Sequence, residues 1–165
     1  YIVCKYFKIP IKYFNESIKS FKGLPYRSLT IHNSKSKLII NNSKATNISS
    51  ALSTLENKKN IFLILGGIAK EDGFNKFNKF RKHIDQVYIY GKSRFKIKNQ
   101  INLPKISVIK KNLQEVIHTL WNDISDKDNK VTIIFAPACA SFDQFENFEK
   151  RGAYFNQLIF NKLKK

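Results

Sequence analysis

The sequence predicts an α/β fold in which helices flank a mostly parallel β-sheet, with a hairpin near the N-terminus. Short apolar runs alternate along most of the chain with segments whose apolar residues recur at three- and four-residue steps. This alternation is typical of right-handed βαβ units. With 165 residues, of which 42% are hydrophobic, the chain can bury one core. We therefore expect a Rossmann-like domain.

The first 22 residues are predicted to form two short helices that are separated at Pro10. The second helix has an apolar face with no obvious partner nearby, and Gly23 and Pro25 then interrupt the pattern. We place a boundary at Gly23, with residues 1–22 as the tail of a preceding domain and residues 23–165 as a second domain. The absence of any methionine, including position 1, also predicts a piece of a longer protein.

A hairpin is predicted next, because strands at 28–32 and 37–41 flank a polar turn at 33–36. The polar loop at 41–47 then precedes a helix, whose apolar face begins at Ile48. The following elements are a buried strand at 61–65, a helix faced by Phe74, Phe77, Phe80 and Ile84, a strand at 86–90, a short helix near 93–98 and a strand at 106–109.

In the last third of the chain, the sequence predicts a helix, a strand and a second helix. Asn112 and Glu115 have the spacing of a capping box, which indicates that a helix begins there. The final strand is predicted at 130–135. A C-terminal helix carries the apolar stripe Phe155, Leu158, Ile159 and Leu163.

Four polar loops follow strands of this sheet, at 42–46, 66–73, 91–94 and 136–143. Because ligands bind beyond the carboxyl ends of parallel strands, we expect the four loops to converge on one rim. Ammonium groups, hydroxyls and helix-opening backbone N–H groups there suit carboxylates and phosphates. The paired glycines at 66 and 67 would let the backbone approach a ligand. The candidate side chains are Lys44, Thr46, Lys70 and Ser141.

Each candidate also has a simpler interpretation. A loop serine or threonine before a helix is usually an N-cap, which applies to Ser43, Thr46 and Ser141. Lys70 fits a solvated loop residue, and Asp143 fits an acid in the first turn of a helix. The phenylalanines at 142, 145 and 148 fit core positions.

Several function classes lack support in the sequence. It contains no phosphate-binding G-x-x-x-x-G-K-[ST] loop, no defensible Ser/His/Asp order and no metal-ligand set, and no apolar run is long enough to span a membrane. Cys4 and Cys139 are interpreted as reduced thiols of a cytoplasmic protein. The net charge of +18 comes mostly from dispersed lysines, which favours a solvated basic surface over nucleic-acid binding.

Four motifs carry a resemblance to a known family. They are Gly23-Leu-Pro-Tyr-Arg27, Asn42-Ser-Lys-Ala-Thr-Asn47, Gly66-Gly-Ile-Ala-Lys70 and Pro137-Ala-Cys-Ala-Ser-Phe-Asp-Gln-Phe145, which continues to Asn147-Phe-Glu-Lys-Arg-Gly152. Together they resemble the C-terminal domain of the Mur ligases, with residues 1–22 similar to the end of that family's central ATP-binding domain. The S-K-A-T-N and A-C-A-S segments point to the branch that adds D-glutamate.

The resemblance implies a cytoplasmic, ATP-dependent ligation in cell-wall synthesis. ATP and Mg²⁺ serve the full-length enzyme, and the amine of D-glutamate attacks the acyl phosphate of UDP-N-acetylmuramoyl-L-alanine. By motif, Thr46 and Lys70 would hold one carboxylate of D-glutamate, and Ser141 with the Phe148 backbone would hold the other. Lys44 would act as the catalytic residue beside the phosphates. Arg27 and Asn42 would contact the nucleotide ribose.

Two departures from the family pattern stand out. Asn42 replaces the usual Asp, and so lacks its charge, and Ala136 replaces a common Ser. The phosphate loop and metal-binding residues of the central domain are also outside this sequence. We therefore expect the chain alone to bind neither ATP nor Mg²⁺ and to be inactive. The alternatives are another Mur or folylpolyglutamate-type ligase, or a basic nucleic-acid-binding module.

Overall fold

The computed structural model describes residues 1–103, 106–125, 127 and 129–164. Six strands form one sheet, in which β1 and β2 are antiparallel and all other neighbouring strands are parallel. The strands are β1 (Leu29–Asn33), β2 (Lys37–Asn41), β3 (Ile61–Gly66), β4 (Ile84–Tyr90), β5 (Ile106–Ile109) and β6 (Val131–Phe135). Their order in the sheet is β1-β2-β6-β3-β4-β5. The predicted fold class is confirmed.

Within the described residues, six α-helices and one 3₁₀ helix accompany the sheet. The α-helices are α1 (Ile2–Tyr6), α2 (Ile11–Ser20), α3 (Ile48–Leu55), α4 (Arg94–Gln100), α5 (Leu113–Asp123) and α6 (Phe148–Leu163), and the 3₁₀ helix is Phe74–Phe80. The helices α3 and α4 and the 3₁₀ helix pack on one face of the sheet, and α5 and α6 pack on the other. Alternate residues of β3 serve the two faces, because successive side chains of a strand point to opposite sides.

The structure corrects one helix prediction. Phe74, Phe77 and Phe80 do lie on one helix, but it is a 3₁₀ helix, and Ile84 belongs to β4. Three-residue spacing matches the three residues per turn of a 3₁₀ helix, which brings Phe74 and Phe77 into a stacked pair in the core.

Asparagines cap the N-termini of three helices. The side chains of Asn47, Asn112 and Asn147 accept hydrogen bonds from backbone N–H groups in the first turns of α3, α5 and α6. The predicted helix start at Asn112 is confirmed, whereas the interpretation of the loop residues Ser43, Thr46 and Ser141 as N-caps is wrong.

The helices α1 and α2 contain no buried residue, and the structure describes both in full. Seven residues of this segment line an open groove of about 350 Å³, namely Cys4, Ile9, Tyr13, Phe14, Ser17, Ile18 and Phe21. The boundary at Gly23 stays a prediction. In the described part of the chain no helix combines the length and the apolar character that a membrane span needs.

Candidate functional site

A cavity of about 230 Å³ lies at the rim where β2, β3 and β6 end. Its walls come from three loops and from the first turn of α6, so residues far apart in sequence share one space. The lining residues are Lys44, Thr46, Lys70, Ala140, Ser141, Phe142, Asn147, Phe148 and Glu149. We call this cavity the rim pocket.

Backbone hydrogen bonds join the rim loops. Ile68 and Ala140 exchange two N–H···O bonds of 2.9 Å each, which pair the loop after β3 with the loop after β6. Ser93 Oγ accepts from Ala69 N at 2.9 Å, and Asp143 Oδ2 accepts from Lys92 N at the same distance. The expected convergence of the loops is therefore confirmed. Asp143 is a loop-bridging residue here, and its interpretation as a helix first-turn acid is wrong.

The paired glycines allow the backbones of neighbouring loops and strands to approach closely. Gly66 and Gly67 have φ angles of +148° and +126°, a region that favours glycine. A Cβ at Gly66 would overlap Tyr90 O, and one at Gly67 would overlap Ala140 O. The close approach that these glycines permit is thus to neighbouring backbone, whereas the sequence predicted an approach to a ligand.

Two cations and two hydroxyls line the rim pocket. The Lys44 ammonium lies 4.1 Å from the centre of the Phe148 ring, a cation–π distance, and the side chain is half-buried. Lys70 is exposed, Thr46 is half-buried, and Ser141 is only 1% exposed. This donor set suits an anionic ligand, because charge comes from the ammonium groups and direction from the hydroxyls.

The first turn of α6 faces the same pocket. Within the described residues, no hydrogen bond uses the backbone N–H of Phe148 or Glu149, and the N-terminal end of a helix carries partial positive charge. The start of α3 differs in one respect, because Glu71 Oε1 accepts a hydrogen bond from Ile48 N at 2.8 Å. The first turn of α6 therefore offers backbone N–H donors to the rim pocket.

Of the three rim phenylalanines for which the sequence favoured core positions, Phe142 lies at the surface, whereas Phe145 packs against the core. Phe142 is 68% exposed and lines the rim pocket, so its interpretation as a core residue is wrong. Phe145 is half-buried, with its ring centre 5.6 Å from that of Tyr154. Phe148 is half-buried beside Lys44.

The two residues assigned to a nucleotide lie outside the lining of the rim pocket. Arg27 is exposed, and its neighbour Tyr26 accepts a hydrogen bond from Lys44 N at 3.0 Å, which places Arg27 close to the Lys44 loop. Asn42 is buried, and its Nδ2 donates to Thr54 Oγ1 at 2.7 Å. The ribose contacts of both residues stay predictions.

Three residues beneath the pocket contribute to its structure in ways that the sequence did not predict. Asn41 Nδ2 donates to Gly152 O at 2.9 Å and fixes the end of β2 against α6. Ser43 Oγ donates to Phe148 O at 2.8 Å, and Arg151 is fully buried and hydrogen-bonded to Ser43. The available signal was an arginine on the apolar side of the predicted C-terminal helix, since arginine is rarely fully buried without partners.

Burial also affects two ionisable groups near this cluster. It raises the pKa of the Cys139 thiol to about 12, and the nearby charge of Arg151 opposes that rise. Burial likewise raises the pKa of Tyr90 well above its usual range. Both groups are therefore neutral near pH 7. Among the described residues no three His, Cys, Asp or Glu side chains cluster as a metal site.

Curated relatives match nearly the whole chain. A UDP-N-acetylmuramoylalanine–D-glutamate ligase from Rickettsia conorii is 35% identical over 159 residues, which are 96% of this chain and 32% of that protein. The ligase of the same name from a Wolbachia of Brugia malayi is 34% identical over 166 residues, with 98% of this chain and 32% of the relative covered. The chain is homologous to the C-terminal third of these ligases. It thus spans about a third of their length.

The fold agrees with this relationship. A pseudomurein peptide ligase type C from Methanothermus fervidus matches with a TM-score of 0.61 over 96% of this chain and 33% of that one, at 19% identity. At that identity the match shows the fold of the Mur-type ligase domain and no more. No protein-family model matches the chain.

Proposed function

We propose that this chain is the amino-acid-binding domain of a cytoplasmic ligase that joins D-glutamate to UDP-N-acetylmuramoyl-L-alanine. The homologous ligases carry D-glutamate and the UDP-linked alanine in their names. One observation carries the proposal for this chain. Five residues that the motifs assign to the site line a single cavity, and they are Lys44, Thr46, Lys70, Ser141 and Phe148.

D-glutamate has two carboxylates and a free amine, so its site needs anion-binding groups at two ends. Thr46 and Lys70 lie on the loops after β2 and β3, and we assign them to one carboxylate. Ser141 and the backbone N–H of Phe148 lie on the loop after β6 and on α6, and we assign them to the other. The cavity supports this division because the two pairs come from different walls.

ATP supplies the phosphoryl group that activates the acceptor carboxylate in the reaction we propose. The ammonium of Lys44 fits a place beside phosphates, because it is half-buried and held at the pocket wall by the Phe148 ring. Arg27 fits a nucleotide contact because it is exposed close to the Lys44 loop. Asn42 fits less well in the described geometry, since its amide nitrogen already donates to Thr54.

We assign the remaining parts of the reaction to further domains of a longer protein. We propose that residues 1–22 are the tail of a central domain that binds ATP and Mg²⁺, because their exposed apolar face lacks a partner within the described residues. The isolated chain is then inactive. Incubation of the chain with ATP, Mg²⁺ and both substrates tests this point, and measurable ligation product would overturn it.

A direct test is titration of the isotopically labelled chain with D-glutamate, followed by backbone amide NMR. We expect saturable shifts at Thr46, Lys70 and Ser141, and weaker shifts with L-glutamate. The double variant Lys70→Met/Ser141→Ala should lose the shifts. The matched control Lys59→Met changes an exposed lysine before β3, at the opposite edge of the sheet, and should bind normally.

Other outcomes would point to other functions. Shifts at the same residues with a different acceptor amino acid would assign the domain to another Mur or folylpolyglutamate-type ligase. Salt-sensitive binding of arbitrary DNA, without D-glutamate shifts, would favour a basic nucleic-acid-binding module.

A further inference from the structure

Arg151 is a fully buried cation that makes three hydrogen bonds from one guanidinium. Its Nε donates to Ser43 Oγ at 3.0 Å, its Nη2 to Ser43 O at 2.8 Å and its Nη1 to Cys139 O at 2.9 Å. Among the residues that the structure describes, no carboxylate forms an ion pair with it. Burying a charge whose partners are mainly loop backbone carbonyls costs desolvation free energy that no described ion pair offsets. We therefore infer that Arg151 has a role in addition to packing.

The three acceptor atoms lie on two loops that also carry lining residues of the rim pocket. Ser43 precedes Lys44 in the loop after β2, and Cys139 lies two residues before Ser141 in the loop after β6. Ser43 Oγ, which accepts from Arg151, also donates to Phe148 O at 2.8 Å. One guanidinium therefore connects the Lys44 loop, the Ser141 loop and the first turn of α6.

We propose that Arg151 is a positioning residue for the D-glutamate site, an inference that rests on the proposed function. It does not line the pocket, and it acts through Ser43 and Cys139. Its planar fork fixes the directions of three N–H groups at once, so the two loops and α6 keep one relative geometry. That geometry sets the separation between the Thr46 and Ser141 hydroxyls that would receive the two carboxylates.

A lysine at position 151 could carry the charge but could not reproduce the fork. Its single ammonium would satisfy part of the acceptor set, so we expect partial function. A methionine would fill similar space without any donor. A purely stabilising role would lower the melting temperature of both variants and leave the affinity of the folded protein unchanged.

The test compares D-glutamate binding by the wild-type chain with binding by Arg151→Met and Arg151→Lys, below the melting temperature of each. We expect the Kd to rise at least tenfold in Arg151→Met and to recover partly in Arg151→Lys. The control Arg81→Met removes an exposed arginine and should bind like wild type. Equal affinity for the wild-type chain and folded Arg151→Met would overturn the proposal.

A coupling measurement separates positioning from general damage. Ser43→Ala removes the hydroxyl through which Arg151 reaches Phe148, so the loss of affinity in Ser43→Ala/Arg151→Lys should be smaller than the sum of the two single losses. Additive losses would mean that the two residues act independently, and would overturn the proposed route. This double-mutant cycle does not use Arg151→Met, so it tests the proposal even if that variant does not fold.

A different result would show that the proposed function, and not the role of Arg151, is wrong. If the wild-type chain gives no amide shifts with D-glutamate, the ligand assignment fails. Amide hydrogen exchange at residues 43–46 and 139–141 then tests Arg151 without any ligand. Faster exchange in both loops of Arg151→Lys, but not of Arg81→Met, would support the positioning role. Unchanged exchange in both loops would overturn it.

Discussion

Ser43 Oγ and Phe148 O are joined by a hydrogen bond of 2.8 Å that spans 105 positions of sequence. The hydroxyl donates to the first residue of α6 and accepts from Arg151 Nε at 3.0 Å. These hydrogen bonds consequently fix the position of the loop after β2 relative to the start of α6. Phe148 in turn carries the Lys44 ammonium 4.1 Å above its ring centre, so the two sides of the rim pocket constrain each other.

We expect Ser43→Ala to destabilise the fold by about 1–3 kcal/mol, because it leaves Phe148 O and Arg151 Nε without their buried partner. Urea unfolding followed by circular dichroism measures the change. Ser53→Ala is the matched control, since Ser53 is an exposed residue of α3 whose hydroxyl bonds only to its own helix among the described residues. An equal effect of the two variants would contradict the assigned role of Ser43.

Gly66→Ala should be more damaging than Gly73→Ala. Both glycines have a positive φ, so both substitutions carry backbone strain of about 1–3 kcal/mol. Only at Gly66 would the new methyl group also overlap backbone, at Tyr90 O, whereas at Gly73 its nearest neighbour is the flexible end of Lys76 at 3.5 Å. Thermal unfolding of the two variants makes the comparison, and similar melting temperatures would show that the β3–β4 approach tolerates a side chain.

Stability should fall at alkaline pH through Cys139. Burial raises the pKa of the Cys139 thiol in the folded protein to about 12, whereas a thiol in the unfolded chain has a pKa of about 8.5. Above pH ~8.5 the unfolded state loses a proton that the folded state keeps, so the free energy of unfolding falls as pH rises, by up to about 1.4 kcal/mol per unit. Below that pH the group contributes no pH dependence.

Urea titrations between pH 7.5 and 10 measure this slope. Cys139→Ala should flatten it, and Cys4→Ala, at a half-buried position in α1, should not. In the native wild-type protein a thiol reagent should modify Cys4 well before Cys139. An unchanged slope in Cys139→Ala would rule out this thiol as its source.

Loss of the α5 N-cap should cost about 1 kcal/mol. Asn112 Oδ1 accepts from Glu115 N at 2.9 Å, and alanine cannot replace that acceptor. Asn112→Ser keeps a cap acceptor and places no charge beside Glu115, whose Oε1 accepts from Asn112 Nδ2 at 2.9 Å, so it should retain most of the stability. If Asn112→Ser unfolded as readily as Asn112→Ala in urea, the cap would not be the reason for the loss.

Local patterns predicted most of the fold because each element is encoded by its own residues. The apolar run at β3 and the Asn112 cap of α5 could be located without knowledge of their partners. The helix prediction at Phe74 erred because a three-residue repeat is compatible with both helix types until the packing against α3 and α4 is known.

The candidate site was predictable only in part, for a physical reason. Lys44, Lys70 and Ser141 follow strands, and sheet topology alone brings their loops to one rim. Arg151 and Ser43 depend on a contact across 108 positions of sequence, which no local pattern encodes. The constraint on Gly66 likewise comes from the backbone of a neighbouring strand.

The position of β6 in the sheet has a consequence for folding during synthesis on the ribosome. β6 is the last of the six strands in sequence and lies between β2 and β3, so the hairpin and the strands β3, β4 and β5 cannot form one sheet until β6 has been synthesised. During synthesis the two halves expose apolar strand edges that only β6 can close. We expect nascent chains that end before Val131 to need protection from aggregation, and the rim pocket to form only after β6 has joined the sheet.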